Sequence, residues 1–295
     1  MKIQLRADLM LLMITFFWGG SILLTKIGLD YLQEYNLISL RFTLAFLLSG
    51  IVFYKHLIKT DFKTVKYAFI LSIILFIAYV FATFGTEYTS VSNAGFLFSL
   101  TVIFIPLLSS IFLKQTPEKK VVFGIVLSII GIGLLTLHNQ FKIGFGDLFC
   151  ILCALFYAVH IMVTGAVAKH VNSISLGVLQ LGFVGLFSII FSIFTEKPKL
   201  PNDYKSWFVI LALSIFCTGI AFIVQIIAQK HTSPTHVGLI FTLEPVFSSI
   251  FAFFFTGETL TSRGYLGALL LLISVLIAEL DYKSLFKLNY KNYME

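Results

Sequence analysis

The stretch richest in chemistry is Thr242-Leu243-Glu244-Pro245-Val246-Phe247-Ser248-Ser249, where a carboxylate and a proline interrupt the apolar run 233–255. Glutamate at the centre of a bilayer costs about 2.5 to 3.5 kcal/mol, so it belongs on a protein interior or a water-filled cavity. Pro245 has no N–H, which deprives the Phe241 carbonyl of its helical partner. Together they predict a broken helix beside a cavity, the way many membrane carriers build a site near the midplane. A tolerated kink around a hydrogen-bonded carboxyl is the alternative.

Other side chains can serve the same cavity. Glu244 can bind a substrate amine, carry a coupled proton, or hold Gln225 or His236. His160, deep in an apolar run, can donate, accept or titrate near neutral pH, toward a substrate or a neighbouring helix. Trp18, Tyr79 and Tyr157 can stack on an apolar substrate or meet an amine by cation–π contact. Thr83, Asn93, Gln225 and Thr242 add neutral hydrogen-bonding groups, and Asn93 and His236 stand near helix starts, as gates or as caps. Lys26 and Arg41 can meet a substrate carboxylate or phosphate, or snorkel to the interface. Pro106 and Pro245 are the expected helix breaks. Cys150-x-x-Cys153 lies inside an apolar run and reads as packing rather than as a redox or metal site, and no metal site is expected.

The elements that position these groups are membrane helices. Hydrophobic residues make up 58% of the 295 positions and charged residues 12%, with mean hydropathy +0.97, which excludes a soluble globular domain. Ten apolar runs long enough to span a bilayer lie at roughly 8–28, 36–54, 66–86, 91–113, 120–137, 147–167, 174–194, 206–228, 233–255 and 263–280. The first is too long for a cleaved signal peptide and lacks a small-x-small cleavage pattern. Polar residues at helical spacing mark a cavity-facing stripe on six spans. They are Thr15, Gly19, Ile22 and Lys26 on the first, with Trp18 beside them; Ser72, Tyr79, Thr83 and Thr86 on the third; Asn93 and Thr101 on the fourth. Cys150, Cys153, Tyr157, His160 and Thr164 mark the sixth; Ser214, Thr218, Gln225 and Gln229 the eighth; His236, Thr242 and Glu244 the ninth. Spans two, five, seven and ten are aliphatic, with glycines suited to close packing inside a monomer or across a homodimer.

The net charge of +7 is an orientation signal, not a nucleic-acid surface. With the N-terminus inside, the cytoplasmic segments hold Lys2, Arg6, Lys55, Lys59, Lys63, Lys66, Lys114, Lys119, Lys120, Lys169, Lys230, Lys283, Lys287 and Lys291, fourteen of the 21 Lys and Arg. Both termini are therefore expected in the cytoplasm, with 281–295 as a short cytoplasmic tail.

The chain also repeats itself. Tyr88-Thr-Ser-Val-Ser-Asn-Ala-Gly-Phe-Leu-Phe-Ser matches His231-Thr-Ser-Pro-Thr-His-Val-Gly-Leu-Ile-Phe-Thr, pairing Gly95 with Gly238, an offset of 143. Pro106-Leu-Leu-Ser-Ser-Ile-Phe matches Pro245-Val-Phe-Ser-Ser-Ile-Phe at an offset of 139. Five spans per half force opposite orientations, so the expected fold is all-α integral membrane, ten transmembrane helices as two inverted five-helix repeats (8–137 and 146–280) around a central cavity.

Trp18-Gly19, Arg41 opening the second span, Glu244-Pro245 and Phe254-Phe255-Thr256-Gly257-Glu258-Thr259-Leu260 resemble EamA-type members of the drug/metabolite transporter superfamily, across nearly the whole chain. The resemblance implies a cavity between the halves, lined by spans one, three, four, six, eight and nine, and transport of small metabolites, often amino-acid export, without a bound cofactor. The first half departs from the pattern, with Thr101 or Val102 in place of Glu244 and Pro245 and Thr116-Pro117-Glu118 in place of the Gly-Glu-x-Leu-Thr turn. No Gly-x-Ser-x-Gly elbow, His-Glu-x-x-His or Walker A loop is present, so an enzyme or ATP-driven pump is not expected. The expected activity is export of amino acids or related small-molecule substrates across the cell membrane by alternating access. Proton-coupled export of lipophilic cations is the alternative.

Overall fold

The computed structural model describes residues 2–89, 91–112, 114, 118–136, 144–256 and 261–279. Among them every regular element is helical. Seven helices are long and apolar enough to cross a membrane, namely Ile3–Leu29, Glu34–Val52, Phe62–Tyr88, Phe145–Val167, Ser173–Thr195, Tyr204–Gln229 and Pro234–Phe255, and the chain is a membrane protein. Large apolar side chains such as Phe194, Phe208 and Phe254 face outward, as a lipid solvent allows.

The helices start where the sequence supplies caps. Helix α1 is Lys2–Leu29 and α2 is Glu34–Val52; a short α3, Tyr54–Ile58, precedes α4, Phe62–Tyr88. Asp61 caps α4 by accepting from the Thr64 amide and hydroxyl. Helix α7 is Lys119–Thr136, α8 is Phe145–Val167 and α9 is Ser173–Thr195, the last capped by Asn172, which accepts from the Ile174 and Ser175 amides at 3.1 and 3.0 Å. Asp203 caps α10, Tyr204–Ser214, by accepting from the Ser206 amide at 2.7 Å. That helix continues through a π-helical segment, Ile215–Ile220, into α11, Ala221–Gln229. For α2 the cap comes from far along the chain: Glu196, at the end of α9, accepts from the Tyr35 and Asn36 amides at 2.7 Å each.

Two helices are broken. Helices α5, Val91–Phe98, and α6, Thr101–Phe112, flank Ser99-Leu100; α12, Pro234–Phe241, and α13, Glu244–Thr256, flank Thr242-Leu243. At each break the amides reach back three residues: Leu100 to Leu97 at 3.2 Å and Val102 to Ser99 at 3.1 Å, Leu243 to Ile240 at 3.1 Å and Val246 to Leu243 at 3.0 Å. Leu100 and Leu243 are 143 positions apart, so both breaks keep the offset that pairs Gly95 with Gly238.

This corrects two expectations. Pro106 is not a break; it lies inside α6, beyond Leu100. Pro245 is the second residue of α13, in a first turn that needs no intrahelical donor, so it stands at a break that a proline-free sequence also forms in the first half. The 257–260 turn, Thr116-Pro117 and the tail 281–295 lie outside the described residues.

The last helix, α14, Ser262–Glu279, lies along α7. A Cβ on Gly131 would come within 2.9 Å of the Gly267 carbonyl, and Ser128 and Ser274 share a 2.7 Å hydrogen bond. Helix α2 packs on α9 and α4 on α8. Helix α6 contacts α8 as α13 contacts α1, and α5 contacts α8 as α12 contacts α1.

Candidate functional site

A cavity of about 820 Å³, mouth included, lies among α1, α2, α4, α8 and the two broken helices. Its walls come from Trp18 to Thr25 of α1, Ala78 to Thr86 of α4, and Cys153 and Tyr157 of α8, so it runs from mid-helix to one end of the molecule. Of the expected site residues, Trp18, Arg41, Tyr79, Thr83, Tyr157 and Glu244 line it, and so do Ile22, Thr86, Thr101 and Cys153 of the expected stripes.

Arg41 does not snorkel. It is 3% exposed, with its guanidinium at the cavity wall. Nε donates to Thr218 Oγ1 at 2.5 Å; Nη2 lies 3.2 Å from Ser21 Oγ, 3.3 Å from the Tyr79 hydroxyl and 3.2 Å from the Cys217 carbonyl. Its Cζ stands 5.0 Å from the Tyr79 ring centroid. Those partners are all neutral, and no carboxylate among the described residues lies within 4.0 Å. The Cys217 carbonyl also accepts from Trp18 Nε1 at 2.9 Å, so the π segment carries an acceptor that fixes two cavity side chains. Such one-residue insertions are common at functional sites.

Glu244 is the first residue of α13 and half-buried in the wall. Among the described residues its carboxylate has no hydrogen-bond donor or ion-pair partner; in particular, neither Gln225 nor His236 holds it. Its surroundings are aromatic: Trp18 meets Phe241 at 4.9 Å and Tyr157 at 5.8 Å between ring centroids, in edge-on geometry.

Other expected residues sit elsewhere. His160 is fully buried beyond Tyr157, with Nε2 3.3 Å from Gln180 Oε1 of α9. Gln225 accepts from the Tyr157 hydroxyl at 3.2 Å, and Gln229 donates to the Ile161 carbonyl at 3.3 Å, which closes that end of the cavity. Among the described residues, His160 Nδ1, Gln180 Nε2 and Thr164 Oγ1 are buried there without a hydrogen-bond partner. Thr242 donates to the Leu239 carbonyl inside the break. The Lys26 ammonium donates to the Thr86 and Glu87 carbonyls at 2.9 and 2.7 Å, where it caps the end of α4. Asn93 belongs to α5, and its side chain lies outside the described residues.

Sequence reasoning missed Ser21, Thr25, Phe98, Ser99 and Phe241, which all line the cavity. The wet face of α1 is Trp18, Ser21, Ile22 and Thr25 rather than the expected Thr15, Gly19, Ile22 and Lys26. Thr15 is buried with its hydroxyl on the Leu11 carbonyl, and Gly19 lies against α13. Both stripes satisfy helical spacing; the large amphipathic Trp18 was the signal that separates them.

The sequence pattern of the EamA-like transporter family matches this chain twice, at residues 5–137 and 144–280. An uncharacterised transporter of Archaeoglobus fulgidus is 31% identical over 277 residues, covering 94% of this chain and 87% of the relative. A second from the same organism is 27% identical over 263 residues, covering 86% and 90%. A solved crystal structure superposes with a TM-score of 0.78 over 95% of this chain and 98% of its own, at 19% identity, and so shares the fold.

Proposed function

The chain belongs to the EamA-like transporter family, and from that premise we propose that it exports amino acids or related small metabolites across the cell membrane by alternating access. The observation that carries this reading is a cavity walled to one end only, which holds a guanidinium and a carboxylate that do not neutralise each other. A closed inner end separates a carrier from a channel. The unpartnered polar atoms of His160, Gln180 and Thr164 support a second, alternately opened passage, since an unpaired buried polar group costs about 1 to 3 kcal/mol.

With the five-residue α3 left out, and with α5 and α6, α10, the π segment and α11, and α12 and α13 each taken as a single span, the described helices number ten, which supports five spans in each of the halves 8–137 and 146–280. The helix contacts that repeat when the halves are exchanged support an inverted pair of repeats. The asymmetry of Lys and Arg supports cytoplasmic termini, which would turn the mouth near Thr25 and Thr86 to the outside.

A second reading is favoured by the carboxylate among aromatic rings: proton-coupled export of lipophilic cations. Flux into proteoliposomes of labelled amino acids and lipophilic cations, with and without a pH gradient, separates the two for wild type and Glu244→Gln. Saturable amino-acid flux without a gradient supports the first reading. Cation flux that needs a proton gradient and disappears in Glu244→Gln replaces it with the second.

A further inference from the structure

Resting on that reading, we infer that the cavity is a zwitterion site in which Arg41 anchors the substrate's carboxylate and Glu244 its ammonium, with the aromatic cluster of Trp18, Tyr157 and Phe241 facing the substrate's side chain. The argument begins with Arg41. A guanidinium withdrawn from water costs several kcal/mol unless an opposite charge compensates it. Arg41 is 3% exposed, yet its contacts are a threonine, a serine, a tyrosine and a backbone carbonyl, which orient a charge without neutralising it. They occupy Nε and Nη2. Among the described residues Nη1 has no acceptor, which leaves it to donate to an anion in the cavity that Arg41 lines.

Ionised against a substrate ammonium, Glu244 supplies the opposite charge in the same cavity, and it has no partner among the described residues. The two stay more than 4.0 Å apart because each is held from its own side. Arg41 is tied to α1, α4 and the π segment, while Glu244 is fixed as the first residue of α13. The pair sums to zero. A lone cation would leave Arg41 uncompensated, and a lone anion would leave Glu244 so. A molecule with ammonium and carboxylate on one carbon satisfies both.

The test needs only the full chain in detergent or proteoliposomes. Three probes, L-phenylalanine, L-leucine and L-threonine, are each compared with the amine lacking the carboxylate and the acid lacking the ammonium. In wild type, each deletion should weaken binding roughly 10- to 100-fold, the range for hydrogen bonds to charged groups. Arg41→Gln should weaken the amino acids by a similar factor and leave the amines unchanged; Glu244→Gln should weaken the amino acids and leave the acids unchanged.

If the amines bind wild type as tightly as the amino acids do, the carboxylate anchor is wrong, whether or not Arg41→Gln folds. If Arg41→Gln weakens amine and amino acid alike, Arg41 is structural and the assignment fails while the transporter reading stands. If none of the amino acids is bound or moved but lipophilic cations are, the amino-acid reading itself has failed.

Discussion

Replacing Gly19 with alanine tests how closely α1 must approach α13 for the cavity to form. A Cβ at position 19 would lie 2.5 Å from Phe247 Cβ, 2.8 Å from the Ser248 amide nitrogen and 3.0 Å from the Phe247 carbonyl carbon. Carbon atoms in contact settle at about 3.5 to 4.0 Å, so α13 must retreat by about 1 Å. Two of the three atoms struck are backbone, and no rotamer change relieves them. Overpacking of this kind costs about 1 to 3 kcal/mol, or about 2 to 6 °C in the melting temperature of a chain this size. The retreat also carries Glu244, which begins α13, so substrate affinity should fall together with stability. Gly95→Ala is the control: among the described residues its Cβ meets only Ile22 Cδ1 at 3.6 Å, an ordinary contact, and alanine is the better helix former. Melting curves of purified protein and flux in proteoliposomes read the two effects. If Gly19→Ala matches Gly95→Ala in both, the close approach of α1 and α13 is not what shapes the cavity.

Trp18→Phe keeps the ring but loses the N–H that reaches the Cys217 carbonyl, which still accepts from Arg41; the expected cost is about 0.5 to 1.5 kcal/mol, read as a lower melting temperature. Lys26→Met should lower stability by about 1 kcal/mol through the uncapped end of α4, and leave the ratio of amino-acid to amine affinity as in wild type; a changed ratio would place Lys26 in the site. The Ser128→Ala and Ser274→Ala pair, in a double-mutant cycle, should show a coupling of about 0.6 kcal/mol, and zero coupling would refute the α7–α14 contact. Hydrogen bonds from Thr64 and Ser206 hold the Asp61 and Asp203 carboxyls below the usual carboxylate range. A lowered folded-state value adds stability above the unfolded value and loses it as pH falls through the folded one, so acidification should destabilise wild type more steeply than the Asp61→Asn, Asp203→Asn double variant.

The sequence was most legible where local chemistry conflicts with its surroundings. A carboxylate in an apolar run has few explanations, and Glu244 does line a cavity at a broken helix. Arg41 was harder to read because its place near the end of a span suggested a route to the interface. What surrounds it lies far away in sequence: Thr218 and the Cys217 carbonyl of the π segment accept from its guanidinium, and Ser21 and Tyr79 close on it from α1 and α4. The break in the first half was mislocated for a related reason. A matching proline drew attention to Pro106, whereas Ser99-Leu100 carries no helix-breaking residue and is recognisable only by its offset from Thr242-Leu243. His160 and Thr164 illustrate the ambiguity of a helical stripe, which continues past the lining residues Cys153 and Tyr157 into fully buried positions without a change of spacing.

The contacts of α2 with α9 and of α7 with α14 each join a helix from one half of the chain to a helix from the other. Glu196 fastens the first seam with two 2.7 Å hydrogen bonds, and Ser128 with Ser274 fastens the second. The two fastenings join residues 146 to 161 positions apart in sequence. Each seam therefore holds the two halves of the chain together through the fold itself rather than through neighbouring sequence.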